Sequence, residues 1–224
     1  MNVAILISGR GSNMKNLVVA SQSSNNNTQI VRVLSNRKGA PGIKIARDLG
    51  VVTETMENST FENRNAFENR LTSVLEEAGA ELICLAGFMH ILGPDFVNHW
   101  HNRLINIHPS VLPAFKGLNT HQRVIEAGGR FSGCTVHFVR SGIDDGPIIL
   151  QAITPVTTTD SVAALSERVL ELEHQCYPLA VDWISKGLVS IVNERVVLED
   201  ASTHTNSLLT SPHWKHPVPG AAIK

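Results

Sequence analysis

No stretch of this chain gathers lysine and arginine, and 19 basic against 20 acidic residues leave a formal net charge of −1 over 224 residues. A nucleic-acid footprint or a membrane-surface face needs such clusters, so neither nucleic acid nor a membrane is an expected partner. Long apolar runs are also missing; none approaches the ~20 residues of a bilayer span. The opening MNVAILISG is too short for the apolar region of a secretory signal and has no basic stretch before it. Cysteine is scarce: residues 84, 134 and 176 form neither a CxxC pair nor a metal-like spacing. Cys84 lies inside the apolar run ELICLAGF, as a core residue would. An odd number of scattered thiols fits a reduced protein of the cytoplasm. The histidines show no HExxH or comparable ligand pattern, so no metal is expected.

What is present is ordinary for a globular protein, 42% hydrophobic and 17% charged, enough for one substantial core. Short aliphatic runs at 2–8, 29–35, 81–87 and 103–108 read as buried strands, because their apolar residues run continuously instead of alternating. Between them 12–22, 41–49 and 62–79 read as helices, with Pro41 in a first turn and Gly50 and Gly79 as stops. This alternation predicts an α/β fold: a mostly parallel twisted sheet, Rossmann-like in its N-terminal half, with helices on both faces. Strands at 134–139 and 147–154 are joined by RSGIDDG, too short for a helical crossover, so they run antiparallel. A long helix follows over 161–186, capped by Asp160 or Ser161, ended by Gly187 and bent at Pro178, and VSIVNERVVL closes as a hairpin. SQSSNNNTQ at 21–29 is a polar connection inside the domain. The expected organisation is a single domain over 1–200, with halves of about 1–100 and 101–200, and an unpatterned extension over 201–224.

The first strand runs into SGRGSN at 8–13, a turn at the carboxyl end of a parallel strand, where α/β folds bind ligands. Gly9 and Gly11 permit a tight turn, and Ser12 and Asn13 open a helix whose free amides suit an anion. A ligand-free tight turn is an equal reading of this segment alone. Position 14 is Met where the dinucleotide fingerprint needs glycine, and LSNRKGAPG lacks the acidic residue that grips a ribose hydroxyl. Both departures argue against NAD and for a smaller phosphorylated ligand.

In NIHPSVLP, period-two geometry puts Asn106 and His108 on one side of a strand and Ile105 and Ile107 on the other. Pro109 ends the strand there, Pro113 stiffens the exit, and Gly117 marks the turn beyond. IDDGP at 143–147 offers an aspartate partner for the imidazole, although Asp-Gly is also ordinary turn chemistry. His137 alternates with buried residues and alone reads as structural. Glu173 and His174 interrupt an otherwise apolar helix, a polar pair that asks for a ligand. Nucleophiles within the protein are poor, since Ser110 lies in no nucleophile elbow and Cys84 reads as buried. The nucleophile is therefore a substrate, Asn106 an oxyanion donor, His108 a proton-transferring or charge-stabilising group, and the aspartate its orienting partner.

NIHPSVLPAFKGLNTH, with ISGRGSN, LAGFMHIL, CTVHFV and DDGPII, closely resembles the folate-dependent phosphoribosylglycinamide formyltransferase family over about residues 1–200. The resemblance implies formyl transfer from 10-formyltetrahydrofolate, as co-substrate, to the amine of glycinamide ribonucleotide, with small molecules as partners and a monomer or homodimer as the unit. It makes the N-terminal half the phosphate-binding one and the C-terminal half the folate and catalytic one. Asn106, His108 and Asp144 become the catalytic trio, Asp144 being preferred to Asp145 because the family's D-x-G-P pattern begins there. Gly11, Ser12, Asn13, Met14, Lys15 and Glu173 would bind the ribonucleotide, with Glu173 on its ribose. Met89, His90, Ile91 and Leu92, together with Asn106 and the loop Arg140, Ser141, Gly142, Ile143 and Asp144, would line the folate pocket. Arg64 would meet the folate or its glutamate tail, and His121 and His137 would support the trio. His90 stands where the family often has arginine, Asn119 where it often has histidine, and Arg10 adds a charge to the glycine turn.

Three rivals follow from the same residues. Methionyl-tRNA formyltransferase shares a similar core but adds a C-terminal domain for which this chain is expected to be too short. A formyltetrahydrofolate hydrolase would carry an N-terminal regulatory domain, whereas the catalytic pattern here begins at Met1. A non-catalytic phosphate-binding module would not need the intact Asn–His–Asp set.

Overall fold

A computed structural model describes residues 1–23 and 27–199. The extension expected at 201–224 lies outside the described residues, as does the middle of the 21–29 connection. The order of elements is β1 (Asn2–Ile7), α1 (Ser12–Ser21), β2 (Gln29–Ser35), α2 (Pro41–Asp48), β3 (Thr53–Thr55), α3 (Arg64–Glu77), β4 (Leu82–Leu85) and α4 (Pro94–His99). There follow β5 (Leu104–His108), α5 (Thr120–Glu126), β6 (Phe131–Phe138), β7 (Ile148–Pro155), α6 (Val162–Ser185), β8 (Val189–Val192) and β9 (Arg195–Leu198). A seven-stranded sheet runs β3-β2-β1-β4-β5-β6-β7, and β8 and β9 form a separate hairpin. β1 to β5 are mutually parallel, while β6 is antiparallel to both β5 and β7. The α/β expectation therefore holds. Among the described residues no helix is long and apolar enough to cross a membrane.

The continuous apolar runs are explained by burial on both faces of the sheet. In β1, Val3, Ile5 and Ile7 join a core with α1 and α6, while Ala4 and Leu6 join a second core with α3 and α4. β5 divides the same way: Ile105 and Ile107 enter the first core and Leu104 the second. The second core contains no residue of β6. On that face Asn106 and His108 follow Leu104 along β5, and Asn106 pairs in register with His137 of β6.

The sequence leaves four short elements unforeseen: β3, with three polar residues, a 3-10 turn over Asn58–Thr60, and α4 and α5, of six and seven residues. Each is too short to display a hydrophobic period. The expected strands shift at their ends; β6 begins at Phe131 instead of 134, and β4 stops at Leu85 instead of 87. Helix α6 runs as one element with Pro178 inside it, its start capped by Ser161 Oγ accepting from the Ala164 amide at 3.1 Å. Asn193 and Glu194, both at positive φ, make the turn between β8 and β9 that the sequence leads one to expect around them. All three cysteines are buried free thiols.

Tyr177 fastens α6 to the sheet. Its ring is fully buried, and its hydroxyl lies 3.0 Å from the carbonyl of Leu85 and 3.2 Å from that of Ile105, one hydrogen serving both. These carbonyls belong to β4 and β5, beside the first polar residue of the site. Tyr177→Phe keeps the packing and removes the donor, so it should lower unfolding free energy by about 1–2 kcal/mol. Urea denaturation measures this; no change would mean that the carbonyls are satisfied without the hydroxyl.

Candidate active site

Four polar side chains meet on the second face of the sheet. Asn106 and His108 come from β5, His137 from β6 and Asp144 from the loop behind β6. A register shift opposite Val136 and His137, where β7 carries Ile149 as an extra residue, bulges the ladder there. Asn106 Nδ2 lies 3.3 Å from His137 Nε2 and 3.5 Å from Asp144 Oδ1. Asp144 Oδ2 accepts the Gly117 amide at 2.7 Å and lies 3.3 Å from His108 Nδ1. The opposite ring nitrogen, His108 Nε2, lies 3.0 Å from the Phe115 carbonyl. Both nitrogens of His108 thus face oxygens that only accept, an arrangement that the doubly protonated ring satisfies and the neutral ring does not.

His137 is fixed differently. Its Nδ1 lies 2.9 Å from the Phe138 carbonyl, so that nitrogen carries the hydrogen and Nε2 is left to accept from Asn106. Burial drives the His137 pKa below the ordinary histidine value, outweighing the opposing hydrogen bond to Phe138. A neutral His137 therefore accepts one N–H of the Asn106 amide and leaves the other to Asp144.

Asp144 reaches this position through unusual backbone. Because β6 is antiparallel to β5, the chain leaves β6 beside Leu104, at the end of β5 away from His108. The loop must double back over the face, and Asp144 takes φ 44° to do so. Gly146, at φ 124°, closes the loop, and a Cβ there would sit 2.2 Å from the Phe138 carbonyl oxygen. Asp145 is exposed and pairs with Lys116 at 3.1 Å. Of the adjacent aspartates, only Asp144 meets the histidine.

The first turn builds a second group. Gly11, at φ 73°, caps α1 without a side-chain bond, and a Cβ on it would lie 2.9 Å from the Gly42 Cα at the start of α2. Ser12 is half-buried and Lys15 exposed, while the Met14 side chain is fully buried and joins the core. Position 14 can therefore offer a ligand its amide but not its side chain. Asn13 and Glu173, distant in sequence, are joined across α1 and α6, with Asn13 Nδ2 donating to Glu173 Oε2 at 2.6 Å. The structure thus delivers Glu173 to the glycine turn.

The expected folate wall is mixed. Met89, Ile91 and Ile143 present exposed apolar side chains, Leu92 is half-buried, and Ser141 and Gly142 are exposed. Two of its members are engaged elsewhere. The Arg140 guanidinium binds Glu194 at 2.7 Å and Asn102 at 2.8 Å, so a tether to the β8–β9 turn, not the cleft, holds its side chain. His90 turns inward to Asn58 and Glu68, at 2.9 and 3.2 Å. Arg64 is half-exposed, 3.9 Å from Glu68. His121 lies on α5, its pKa lowered first by burial and then by the charge of His108, and its Nδ1 has no hydrogen-bond partner among the described residues. A cavity of about 400 Å³, lined by residues including Arg37, Lys38 and Asn58, touches this wall at Met89 and does not reach the trio.

Sequence reasoning missed the Phe115 carbonyl, the Gly117 amide and Glu68. The first two are backbone groups, signalled only by Gly117 and Asn119, residue types that favour positive φ, whereas Phe115 takes positive φ with no residue preference announcing it. Glu68 looked like one charge among several on a helix.

Residues 1–181 match the family model described as formyl transferase. The chain is 41% identical over 187 residues to the phosphoribosylglycinamide formyltransferase of Escherichia coli (strain K12), covering 84% of this chain and 88% of that protein. It is 44% identical over 191 residues to the trifunctional purine biosynthetic protein adenosine-3 of Gallus gallus, of whose length it spans only 19%, with 85% of this chain covered. The solved structure of glycinamide ribonucleotide transformylase 1 from Symbiobacterium toebii superimposes with a TM-score of 0.87 at 38% identity, covering 89% of this chain and 94% of that one.

Glu173 makes the site's electrostatics testable. Burial raises its pKa, and the hydrogen bond from Asn13 only partly opposes this. The folded protein therefore holds this proton more tightly than the unfolded chain. Stability from this group is greatest below the ordinary glutamate range and declines as pH rises through the raised value. Glu173→Gln keeps an acceptor for Asn13 and removes the titration. Urea unfolding from about pH 4 to about pH 8 should show the variant gaining stability relative to the parent as pH rises; a constant difference would contradict the raised value.

Proposed function

The chain belongs to the formyl transferase family, and from that premise we propose that it transfers the formyl group of 10-formyltetrahydrofolate to the amine of glycinamide ribonucleotide. The products are formylglycinamide ribonucleotide and tetrahydrofolate, a step of purine synthesis. The observation that carries this reading is the carboxylate of Asp144 joined to both Asn106 and His108.

The substrate amine attacks the formyl carbon, its nitrogen lone pair forming the new C–N bond while the carbonyl π electrons move to oxygen. Holding the two substrates side by side supplies much of the rate. The Asn106 amide and the charged His108 ring stabilise the oxyanion. Collapse of the intermediate returns the electron pair to the carbonyl and breaks the bond to N10 of the folate. The proton lost by the attacking nitrogen passes to the leaving nitrogen, through water, while Asp144 keeps the imidazole oriented. Support for the ribonucleotide end comes from the amides of Gly11, Ser12, Asn13 and Met14 at the start of α1, which suit a phosphate, with the exposed side chain of Lys15 beside them. Glu173 reaches the same turn and takes the ribose. Met89, Ile91, Leu92 and Ile143 supply the apolar wall for the folate rings, with Arg64 toward its tail.

Release of tetrahydrofolate, measured with and without glycinamide ribonucleotide, tests the proposal. Amine-dependent release is expected, and Asn106→Ala and His108→Ala should each lower turnover ~100-fold or more. Amine-independent release would identify a hydrolase instead, and near-normal turnover in either variant would remove the trio from the mechanism.

A further inference from the structure

The segment between β4 and α4 has no helix or strand of its own over 86–93, yet it is tied down along its length: Ala86 and Gly87 bond to the backbone of Leu6 and Ser8, and further contacts hold 89–93. The Met89 amide donates to Ser8 Oγ at 2.7 Å, and Ser8 Oγ in turn donates to Asn36 Oδ1 at 2.5 Å. The Gly93 amide donates to Glu68 Oε1 at 2.9 Å, and the His90 ring reaches the same oxygen through Nε2 at 3.2 Å. With Glu68 ionised, Nε2 carries the hydrogen and Nδ1 accepts from Asn58 Nδ2 at 2.9 Å. The ring is further wedged edge-on against Phe67 and Phe88, at centroid distances of 4.9 and 5.9 Å.

Glu68 is 4% exposed, and its nearest cation, Arg64 Nε, stands 3.9 Å away. Burying a carboxylate with so little counter-charge is costly unless donors converge on it, and here two of them come from one short loop. Opposite these ties the loop displays Met89 and Ile91, 58% and 72% exposed. Apolar side chains held rigidly in the open by polar bonds on the far side of the same loop form a preorganised surface for an apolar ring system.

We propose that Glu68 and His90 are positioning residues for the folate co-substrate: Glu68 gathers the loop through the Gly93 amide and the His90 ring, and so sets Met89 and Ile91 against the folate rings. The assignment rests on the formyl-transfer reading and deepens it. It makes His90 a back-side clasp instead of a ligand for the tail, and leaves Arg64 as the cation on this wall. Neither residue approaches the reacting groups of β5 and the 140–146 loop, so the clasp acts on folate binding and not on the chemical step.

The test is steady-state kinetics on Glu68→Ala, Glu68→Gln and His90→Ala, with urea unfolding alongside. Glu68→Ala and His90→Ala should raise KM for 10-formyltetrahydrofolate about tenfold, with kcat and the KM for glycinamide ribonucleotide within about twofold of the parent. Glu68→Gln retains an acceptor for both donors and should stay within about threefold of the parent in all three quantities. A lowered urea midpoint with both KM values unchanged would make the pair merely structural, and a fall in kcat with KM unchanged would also overturn the assignment. Should Glu68→Ala fail to fold, His90→Ala and Glu68→Gln decide alone. If the parent shows no amine-dependent transfer, the functional reading fails separately; calorimetric titration with tetrahydrofolate then decides the clasp, equal affinity in parent and variants, or no binding by the parent, overturning it.

Discussion

One carboxylate holds the candidate active site together. Asp144 divides its two oxygens between the Asn106 amide on one side and the His108 ring and Gly117 amide on the other. In doing so it joins β5, the loop that follows β5 and the loop that follows β6. The contact of His108 with the Phe115 carbonyl and the Lys116–Asp145 pair reinforce the same junction. The carboxylate faces one ring nitrogen of His108 and the Phe115 carbonyl faces the other, so these contacts set the ring's orientation. Backbone at positive φ at Asp144 and Gly146 is the conformational cost of bringing that carboxylate across the sheet.

The sheet order explains why the cost arises. Five parallel strands carry their carboxyl ends to one edge, which puts the glycine turn after β1 and the polar end of β5 near each other. The antiparallel β6 breaks that convergence, because its following loop emerges at the opposite edge. Folding the loop back over an uncovered part of the sheet turns a rim site into a face site. Arg140, tethered to Glu194 and Asn102, fixes where that return begins.

Much of this was legible from residue types and periods. Continuous apolar strands, the glycine turn, and Asn106 and His108 on alternate positions all follow from local geometry, and the structure brings them together as that geometry implies. Side-chain direction was less legible. Family resemblance names His90 and Arg140 as folate-pocket residues, and partners from α3 and the β8–β9 turn decide where each side chain points. Met14 sits in the right turn with its side chain in the wrong place, since the first apolar position of an amphipathic helix belongs to the core. Backbone ligands such as the Phe115 carbonyl carry no residue signature at all. The choice of Asp144 over Asp145 came from family resemblance, and geometry supplies its physical reason: one faces the imidazole and the other faces solvent.

The Asn13–Glu173 bond spans 160 positions of the chain. It joins helix α6 to the glycine turn that opens α1. In chain order the glycine turn precedes all but one strand of the main sheet, and its acidic partner follows them all. The two halves of this contact therefore meet only once α6 has docked on the finished sheet, and a ligand held by both could not assist folding before then.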